Sequence, residues 1–172
     1  MKDVKVLLQD AKDVLDDLNI PYGKIVRCYV NYRAQSRWGR CRQVGRNEYE
    51  IDISYQLMKD DVTWEAAMNT MIHELIHAHK DRMCHTGEWK RCAELVNREY
   101  PIYTIKRCSS ADERGVTVNM SKYKYKVVCH ACGNTNYYMR EGKAIQKIRR
   151  YGVASGYRCG KCGSHNLHAE VL

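Results

Sequence analysis

The segment from His73 to His85, HELIHAHKDRMCH, holds four histidines, one glutamate and one cysteine. His73 and His77 are four residues apart, which on a helix corresponds to about 40° of rotation and about 6 Å of rise, so both imidazoles leave the same face. One metal ion could therefore bind both rings. Glu74 lies beside this pair and is well placed to take a proton from a metal-bound water. The pattern predicts zinc-dependent hydrolysis of a peptide bond, with Glu74 as the general base.

A third metal ligand must come from elsewhere, because a catalytic zinc usually has three protein ligands and one open position. His85 is predicted to be that ligand, since it follows the helix at a point where the chain can turn back. Cys84 is the alternative, although a thiolate would reduce the Lewis acidity that hydrolysis needs, and if it does not bind the metal it is expected to be a small buried side chain. His79 is six residues from His73, about 240° round the helix, and is predicted to point away. A histidine-rich structural helix, with or without a closed zinc site, is the non-catalytic alternative for the whole set.

Four of the nine cysteines form two Cys-x-x-Cys pairs, each followed by glycine. Such pairs can supply four thiolates to a tetrahedral structural zinc. The 26 residues between the pairs exceed the usual spacing of about 15 to 20, so the hairpin between them must be enlarged. A redox pair, or a mixed site that uses His130, is the alternative. The predicted zinc ligands are Cys129, Cys132, Cys159 and Cys162.

The compartment can be inferred from the cysteines and the N-terminal residues. An odd number of cysteines and an amphipathic, Asp- and Lys-rich first segment in place of a signal peptide favour metal thiolates in a reducing compartment. No apolar run approaches the roughly 20 residues needed to span a bilayer. We therefore expect a soluble, cytoplasmic protein, with association with the nucleoid as a further expectation.

Hydrophobic periodicity predicts an α+β fold that positions these groups. An amphipathic helix over residues 1–20 precedes three strands of a small, largely antiparallel sheet. Thr63 is predicted to cap a helix that runs from Trp64 through Asp81 and carries the histidine motif. A further helix covers roughly residues 88–99, and a domain boundary is predicted between 110 and 121. The strands are predicted at 24–33, 36–44 and 48–54, with turns at Ala34-Gln35 and Gly45-Arg46-Asn47.

The formal charge of +9 is concentrated in one segment. Residues 120–161 contain ten of the 29 basic residues and one of the 20 acidic residues, so the remainder of the chain is neutral. A polyanionic partner is therefore predicted for this segment alone. Strand alternation in Lys-Tyr-Lys-Tyr-Lys, residues 122–126, would place three lysines on one face and two tyrosines on the other.

Cations combined with aromatic rings are typical of a surface that binds single-stranded DNA. Tyr137, Tyr138, Tyr151 and Tyr157 add rings between the basic residues of this segment. A solvated basic face, with the tyrosines packed in a small core, is the alternative. The predicted nucleic-acid contacts are Lys122, Lys124, Lys126, Arg140, Lys147, Arg149, Arg150 and Arg158.

These motifs together resemble the SprT-like metalloproteases. That family has HExxH, a loop of variable length, and then a histidine with a nearby glycine and an aromatic residue opening the next helix, as in Cys-His-Thr-Gly-Glu-Trp-Lys at 84–90. The sequence Ser-Arg-Trp-Gly-Arg-Cys at 36–41 is similar to a strand that the family places beside its active site. Many bacterial members carry a C-terminal zinc ribbon, so the chain resembles a bacterial or phage-like member from about residue 3 to its end.

The resemblance implies a zincin-like metalloprotease domain over residues 1–115 and a basic, four-cysteine zinc ribbon over 116–172. It also implies a zinc endopeptidase with His73, His77 and His85 as zinc ligands and Glu74 as the base. The eukaryotic relatives, the Spartan proteases, degrade proteins crosslinked to DNA and are activated by DNA, so repair of DNA–protein crosslinks is implied here. A DNA-binding zinc regulator with a structural helix site, and a peptidase with no link to nucleic acids, are the alternatives.

Overall fold

A computed structural model describes residues 1–34, 37–116 and 120–172 of the protein. The chain forms two units, Met1–Thr117 and Val118–Leu172, each with its own buried apolar cluster. None of the helices in the described residues has the length and apolar character that crossing a bilayer requires.

The first helix, α1 (Val4–Asp17), confirms the amphipathic prediction. Asp3 caps it, because its side chain accepts a hydrogen bond from the backbone N–H of Lys5 at 2.7 Å. Its buried residues recur at the spacing of one helical face and pack into the core of the first unit. They are Leu7, Ala11, Val14 and Leu15.

The three predicted strands form one mixed sheet with the order β1-β3-β2. These strands are β1 (Lys24–Asn31), β2 (Gly39–Gly45) and β3 (Glu48–Ser54). The β2–β3 pair is antiparallel, and its turn contains Asn47 with φ 58°. The β1–β3 pair is parallel, so the expectation of a largely antiparallel sheet was wrong for β1. Alternation reveals strands but not their order, and the predicted turn at Ala34-Gln35 includes a residue outside the described ranges.

The helix α2 (Trp64–His77) carries the histidine motif at its C-terminal end. Thr63 caps it as predicted, with its hydroxyl accepting from the N–H of Ala66 at 3.2 Å. The helix ends at His77, four residues before the predicted end. The chain instead turns back through a 3₁₀ turn at Lys80–Arg82, where the Arg82 side chain is almost fully buried and donates to the carbonyl of Pro21. The following helix, α3 (Glu88–Glu99), lies where it was predicted.

The second unit contains an antiparallel sheet with the order β5-β4-β6. Its strands are β4 (Tyr125–Cys129), β5 (Thr135–Tyr138) and β6 (Leu167–Val171). The long gap between the cysteine pairs contains a helix, α4 (Lys143–Tyr151), which buries Ile145 and Ile148 against this sheet. The predicted enlargement of the hairpin therefore consists largely of a helix that supplies part of the core.

Candidate metal centre and active-site cleft

Three histidines from two separate segments meet at one point. The Nε2 atom of His85 lies 2.9 Å from Nε2 of His73 and 3.1 Å from Nε2 of His77. Zinc–nitrogen bonds of about 2.0–2.1 Å in a tetrahedral site separate ligand nitrogens by about 3.3 Å, so this spacing suits one metal ion. His79 is not in the group and instead caps the 3₁₀ turn, and Cys84 is exposed and also outside it. The expectation that Cys84 would be buried if it did not bind metal was wrong.

The other ring nitrogens of the two helix histidines fix which atom faces the metal. Nδ1 of His73 lies 2.9 Å from the carbonyl oxygen of Lys106, and Nδ1 of His77 lies 2.6 Å from the carbonyl oxygen of Arg82. A carbonyl oxygen only accepts hydrogen bonds, so both Nδ1 atoms must carry the proton. Both Nε2 atoms therefore present lone pairs to the same point, which is the arrangement of metal-ligating histidines supported by backbone carbonyls.

The surroundings favour the neutral, ligating form of each imidazole. Burial, together with the neighbouring His77 and His85, lowers the pKa of His73 to about 3. Burial also lowers the pKa of His77. Burial and then the positive charge of Arg107 lower the pKa of His85. Protons therefore compete weakly for the three Nε2 atoms at neutral pH.

Trp89 holds the three imidazoles in place from one side. Its indole is buried, and its ring centroid lies 4.8, 5.4 and 4.6 Å from the centroids of His73, His77 and His85. From the sequence we expect Trp89 to be mainly a core residue. The structure gives it a second role, since the core position also fixes the orientation of all three candidate ligands.

The carbonyl of Lys106, which accepts the hydrogen bond from His73, lies in a segment that an asparagine of α3 holds in place. The side chain of Asn97 donates to the carbonyl of Ile105 at 3.0 Å and accepts from the N–H of Ile105 at 2.6 Å. Asn69 of α2 accepts from the N–H of Thr104 at 2.7 Å. These bonds hold the carbonyl of Lys106 beside the metal-facing histidine. Nothing in the local sequence pattern signals this function, because the contacts join residues that are far apart along the chain.

Glu74 is buried between α2 and the start of β2, beside the histidine cluster. The backbone N–H of Cys41 donates a hydrogen bond to its carboxylate, and burial raises its pKa to about 8, against the opposing effect of that bond. A dication bound by the three histidines would favour the ionised carboxylate. The position therefore suits a group that accepts and releases a proton near neutral pH.

Gly39 allows the backbone of β2 to approach this carboxylate closely. A Cβ atom at this position would lie 2.7 Å from Cγ and 2.8 Å from Oε1 of Glu74, and 2.9 Å from Cγ2 of Thr70. These distances are shorter than van der Waals contact, so only glycine fits without moving the glutamate. The residue falls in the sequence segment that resembled a strand beside an active site.

We expect Gly39→Ala to displace the Glu74 carboxylate and lower kcat by roughly 10- to 100-fold, because a shift of about 1 Å in a catalytic group can have that effect. Metal content should be unchanged, since the three atoms nearest to the added methyl group belong to Glu74 and Thr70 and not to a histidine. The matched control is Gly45→Ala at the other end of β2, where the three atoms nearest to a Cβ all belong to the Glu48 side chain, the nearest being its Oε2 at 2.9 Å. Equal activity of the two variants in a peptidase assay would contradict this role for Gly39.

The histidines and Glu74 open into a cleft with a volume of about 440 Å³. Its walls come from the first residues of β2, from α2, from the loop before α3 and from residues 106–109. Trp38 forms part of one wall, with its indole N–H donating to the carbonyl of Ser109 at 3.1 Å. The cleft is large enough for several side chains of an extended polypeptide, so the metal centre is accessible to a polymeric substrate.

A second potential metal centre lies in the second unit, where all four predicted cysteines come together. The Sγ atoms of Cys129 and Cys162 are 3.6 Å apart, and those of Cys132 and Cys159 are 3.7 Å apart. Tetrahedral zinc–sulfur bonds of about 2.3 Å place sulfurs about 3.8 Å from one another, so the four thiols fit one zinc ion. His130 lies outside this group, with its ring near that of His168.

The two Cys-x-x-Cys-Gly segments fold into equivalent turns. The N–H of Gly133 donates to the carbonyl of Cys129, and the N–H of Gly163 donates to the carbonyl of Cys159, both at 2.8 Å. Both glycines have positive φ, 70° and 74°, which explains why glycine follows each pair. Backbone N–H groups of Cys162 and Lys161 donate to Cys159 and lower its pKa to about 6, which favours the thiolate that a metal requires.

The eight residues predicted to contact nucleic acid all lie in the second unit, but they differ in their surroundings. Lys126 forms an ion pair with Glu170 at 3.2 Å, Arg149 forms one with Glu141, and Arg158 donates to His165 at 3.0 Å. The predicted alternation over 122–126 is only partly present, because Lys122 ends a 3₁₀ turn and β4 begins at Tyr125. Lys124 directly precedes β4, and its backbone still forms hydrogen bonds to Tyr138 and Leu172 on the two neighbouring chain segments.

The fold and the histidine cluster define a mixed α/β protein with two potential metal sites, one with imidazole and one with thiolate ligands. The sequence matches the SprT-like family over residues 8–110, which include α2, β2, the three histidines and Glu74. The chain therefore belongs to the SprT-like family. The comparison with curated proteins found no match for the chain. Membership suggests a metalloprotease-type function.

Proposed function

We propose that the protein is a zinc-dependent endopeptidase that cleaves proteins bound or crosslinked to DNA. The observation that supports the chemistry is the convergence of three neutral Nε2 atoms within about hydrogen-bonding distance, with a buried carboxylate from the same helix beside them. The family match supports the reaction class. A structural site would not need the carboxylate, which argues against a purely regulatory zinc protein.

The residues of the cleft can be assigned roles in hydrolysis. Zinc held by His73, His77 and His85 would polarise the scissile carbonyl and lower the pKa of water to about 7. Glu74 takes the proton from the attacking water and delivers it to the leaving nitrogen. The N–H of Cys41 and the absence of a side chain at Gly39 keep the carboxylate in position for both steps.

An extended substrate could bind along the edge strand β2 of the sheet. In the described residues β2 pairs only with β3, and its other edge faces α2, where the N–H of Cys41 reaches Glu74. An extended peptide can add to such an edge through backbone hydrogen bonds that do not depend on its sequence. The first residues of β2 also line the cleft, so a peptide on this edge would pass the metal centre.

The second unit supports the proposed link to DNA. Tyr137, Tyr138, Tyr151 and Tyr157 are exposed, so their rings are accessible to a ligand. Lys124, Arg140, Lys147 and Arg150 supply cations on the same unit. Exposed rings and cations together favour single-stranded DNA, with the rings stacking on bases and the cations binding phosphates. Binding of the substrate's DNA would raise the local concentration of the protein to be cleaved.

Cleavage of a DNA-binding protein by the zinc-loaded enzyme, with and without single-stranded DNA, tests this function. We expect cleavage in both cases, faster with DNA, and a stimulation that weakens steeply as salt increases because phosphate contacts release counterions. Activity that ignores DNA would favour a peptidase without a nucleic-acid link. DNA binding without cleavage of any protein would favour the alternative of a non-catalytic, zinc-containing regulator.

A further inference from the structure

The cleft of the first unit is strongly basic. The cationic residues that line it are Arg37, Arg40, Lys106, Arg107 and Arg114, whereas Glu74 is the one acidic residue among its lining residues in the described chain. This concentration of charge is not a property of the whole unit, since the excess positive charge of the sequence lies in residues 120–161. The cleft is therefore a local positive site on a nearly neutral unit.

Nearby carboxylates neutralise only part of this charge. Asp52 is buried and pairs with both Arg37, at 2.8 Å, and Arg40, at 3.1 Å, so one carboxylate serves two guanidinium groups. Lys106 has a carboxylate of its own, Glu113, at 2.9 Å.

The two remaining cations of the cleft have no carboxylate partner in the described part of the chain. Arg114 is buried and donates to neutral acceptors, the carbonyl of Ala66 at 2.9 Å and the hydroxyl of Ser109 at 3.1 Å. Its Nε has no hydrogen-bond partner among the described residues. Arg107 is exposed, forms no ion pair with the residues that the structure describes, and lies near enough to His85 to act on it electrostatically. A metal ion in the centre would add two further positive charges.

We infer that cleavage occurs in acidic segments of the substrate proteins, with Asp or Glu side chains beside the scissile bond that bind to Arg107 and the other cations of the cleft. This inference rests on the proposed peptidase function and names its substrate class. An exposed guanidinium binds a carboxylate through two parallel hydrogen bonds, which gives both affinity and orientation. Such a contact at the cleft would act mainly on substrate binding.

A polynucleotide could also be attracted to a basic cleft, but the walls favour a polypeptide. Apart from the N–H of Cys41, which donates to Glu74, the edge of β2 that does not pair with β3 presents backbone donors and acceptors with the repeat of an extended peptide, which a nucleic acid cannot match. Besides the histidines, Trp38 is the one aromatic residue among the described residues of the lining, and its N–H is already bonded to Ser109. The cleft therefore lacks the series of stacking rings that single strands use.

Three quenched fluorescent peptides, identical except for Glu, Gln or Lys on both sides of the scissile bond, test the inference with the zinc-loaded full chain. We expect kcat/KM to be roughly tenfold higher for the Glu peptide than for the Gln peptide, mostly through KM, and lowest for the Lys peptide. Arg107→Gln should remove most of this preference, and Arg107→Glu should shift it towards Lys. Arg46→Glu, in the β2–β3 turn outside the cleft, is the matched control and should keep the preference for Glu.

The outcomes separate this inference from the proposed function. Equal kcat/KM for the three peptides, or a preference that survives Arg107→Glu, would overturn the acidic preference while leaving a peptidase. Competitive inhibition by an oligonucleotide, without discrimination among the peptides, would show that the cleft binds nucleic acid instead. Binding of the same peptides to Glu74→Gln, measured by fluorescence anisotropy, does not need hydrolysis. Selective binding of the Glu peptide to this variant would support the inference even if the wild-type protein cleaved none of the peptides. The absence of cleavage by the wild-type protein would reject the proposed function.

Discussion

Glu74→Gln is expected to lower kcat/KM for peptide cleavage by a factor on the order of 10³, the usual range for losing a general base being about 10² to 10⁴. Glutamine has nearly the shape of glutamate, and its carbonyl oxygen can still accept the hydrogen bond from the N–H of Cys41. It cannot accept a proton from water or return one to the leaving nitrogen. Position and packing are therefore preserved while the proton transfer is lost.

The measurement pairs the cleavage rate with metal content. Metal bound at the histidine centre should be unchanged, because the three Nε2 atoms and the carbonyls of Lys106 and Arg82 are not altered. Glu65→Gln is the matched control, since Glu65 lies in the first turn of the same helix and does not line the cleft. Retention of more than about a tenth of wild-type activity by Glu74→Gln would remove Glu74 from the mechanism.

Glu74→Gln, which lowers activity, should raise the folding stability of the metal-free protein. Burial raises the pKa of Glu74 from 4.5 to about 8, so the folded state binds this proton more tightly than the unfolded state. Folding stability from this group is therefore present at low pH and is lost as the pH rises from about 4.5 to about 8. Glutamine does not titrate, so the variant should gain stability relative to wild type across that window.

Tryptophan fluorescence can measure this difference in the first unit alone, because Trp38, Trp64 and Trp89 all belong to it. Denaturant unfolding of the two metal-free proteins at pH 5 and pH 8 should show a larger advantage for Glu74→Gln at pH 8. A constant difference between the two pH values would show that Glu74 does not titrate in this range. A substitution that removes activity but raises folding stability is expected where an active site keeps a carboxyl group buried.

The candidate ligands could be predicted from the sequence because their geometry is largely local. An i, i+4 pair on a helix fixes two imidazoles on one face, and Cys-x-x-Cys-Gly encodes its own turn. The position of His85 followed from the need for a third ligand and a chain reversal, and the structure places it 2.9 Å from His73. Thr63 marked the start of α2 for the same local reason.

The environment of the site could not be predicted, because it depends on contacts between distant parts of the chain. Arg82 is charged and would ordinarily be assigned to the surface, yet it is buried and its carbonyl orients His77. The parallel β1–β3 pairing decides which strand has an open edge, and strand patterns carry no such information. Ion pairs such as Lys126 with Glu170 join separate strands, so the sequence did not show which basic residues are partly neutralised.

The four-cysteine site is expected to determine the folding stability of the second unit, whereas the histidine site serves catalysis in the first. Among the described residues, the second unit has a small core of seven buried residues, two of which are the candidate ligands Cys129 and Cys159. A unit of this size buries too little apolar surface to offset its loss of conformational entropy on folding, unless a disulfide or a bound metal ion adds stability. Structural zinc can contribute about 10–16 kcal/mol to the folding of such modules. The metal should therefore determine whether this unit folds at all.

Cys159→Ser is accordingly expected to unfold the second unit and leave the first unit folded. Serine is a poor zinc ligand, so the chain should lose one equivalent of zinc, and amides of β4 and β6 should exchange hydrogen as rapidly as in an unfolded chain. Amides of α2 should keep their protection, because the apolar core of the first unit is large and separate from that of the second. Hydrogen exchange with mass spectrometry, together with zinc analysis, measures both results.

The matched control is Cys28→Ser in β1, which changes a free cysteine outside the thiolate cluster and should retain zinc and protection in both units. If the proposed roles of the two units are correct, Cys159→Ser should also lose binding to single-stranded DNA while cleaving short peptides at close to the wild-type rate. Protected amides in β4 and β6 of Cys159→Ser would mean that apolar packing alone sustains the second unit. Loss of peptide cleavage with α2 still protected would mean that catalysis requires the folded ribbon, and not only the histidine centre.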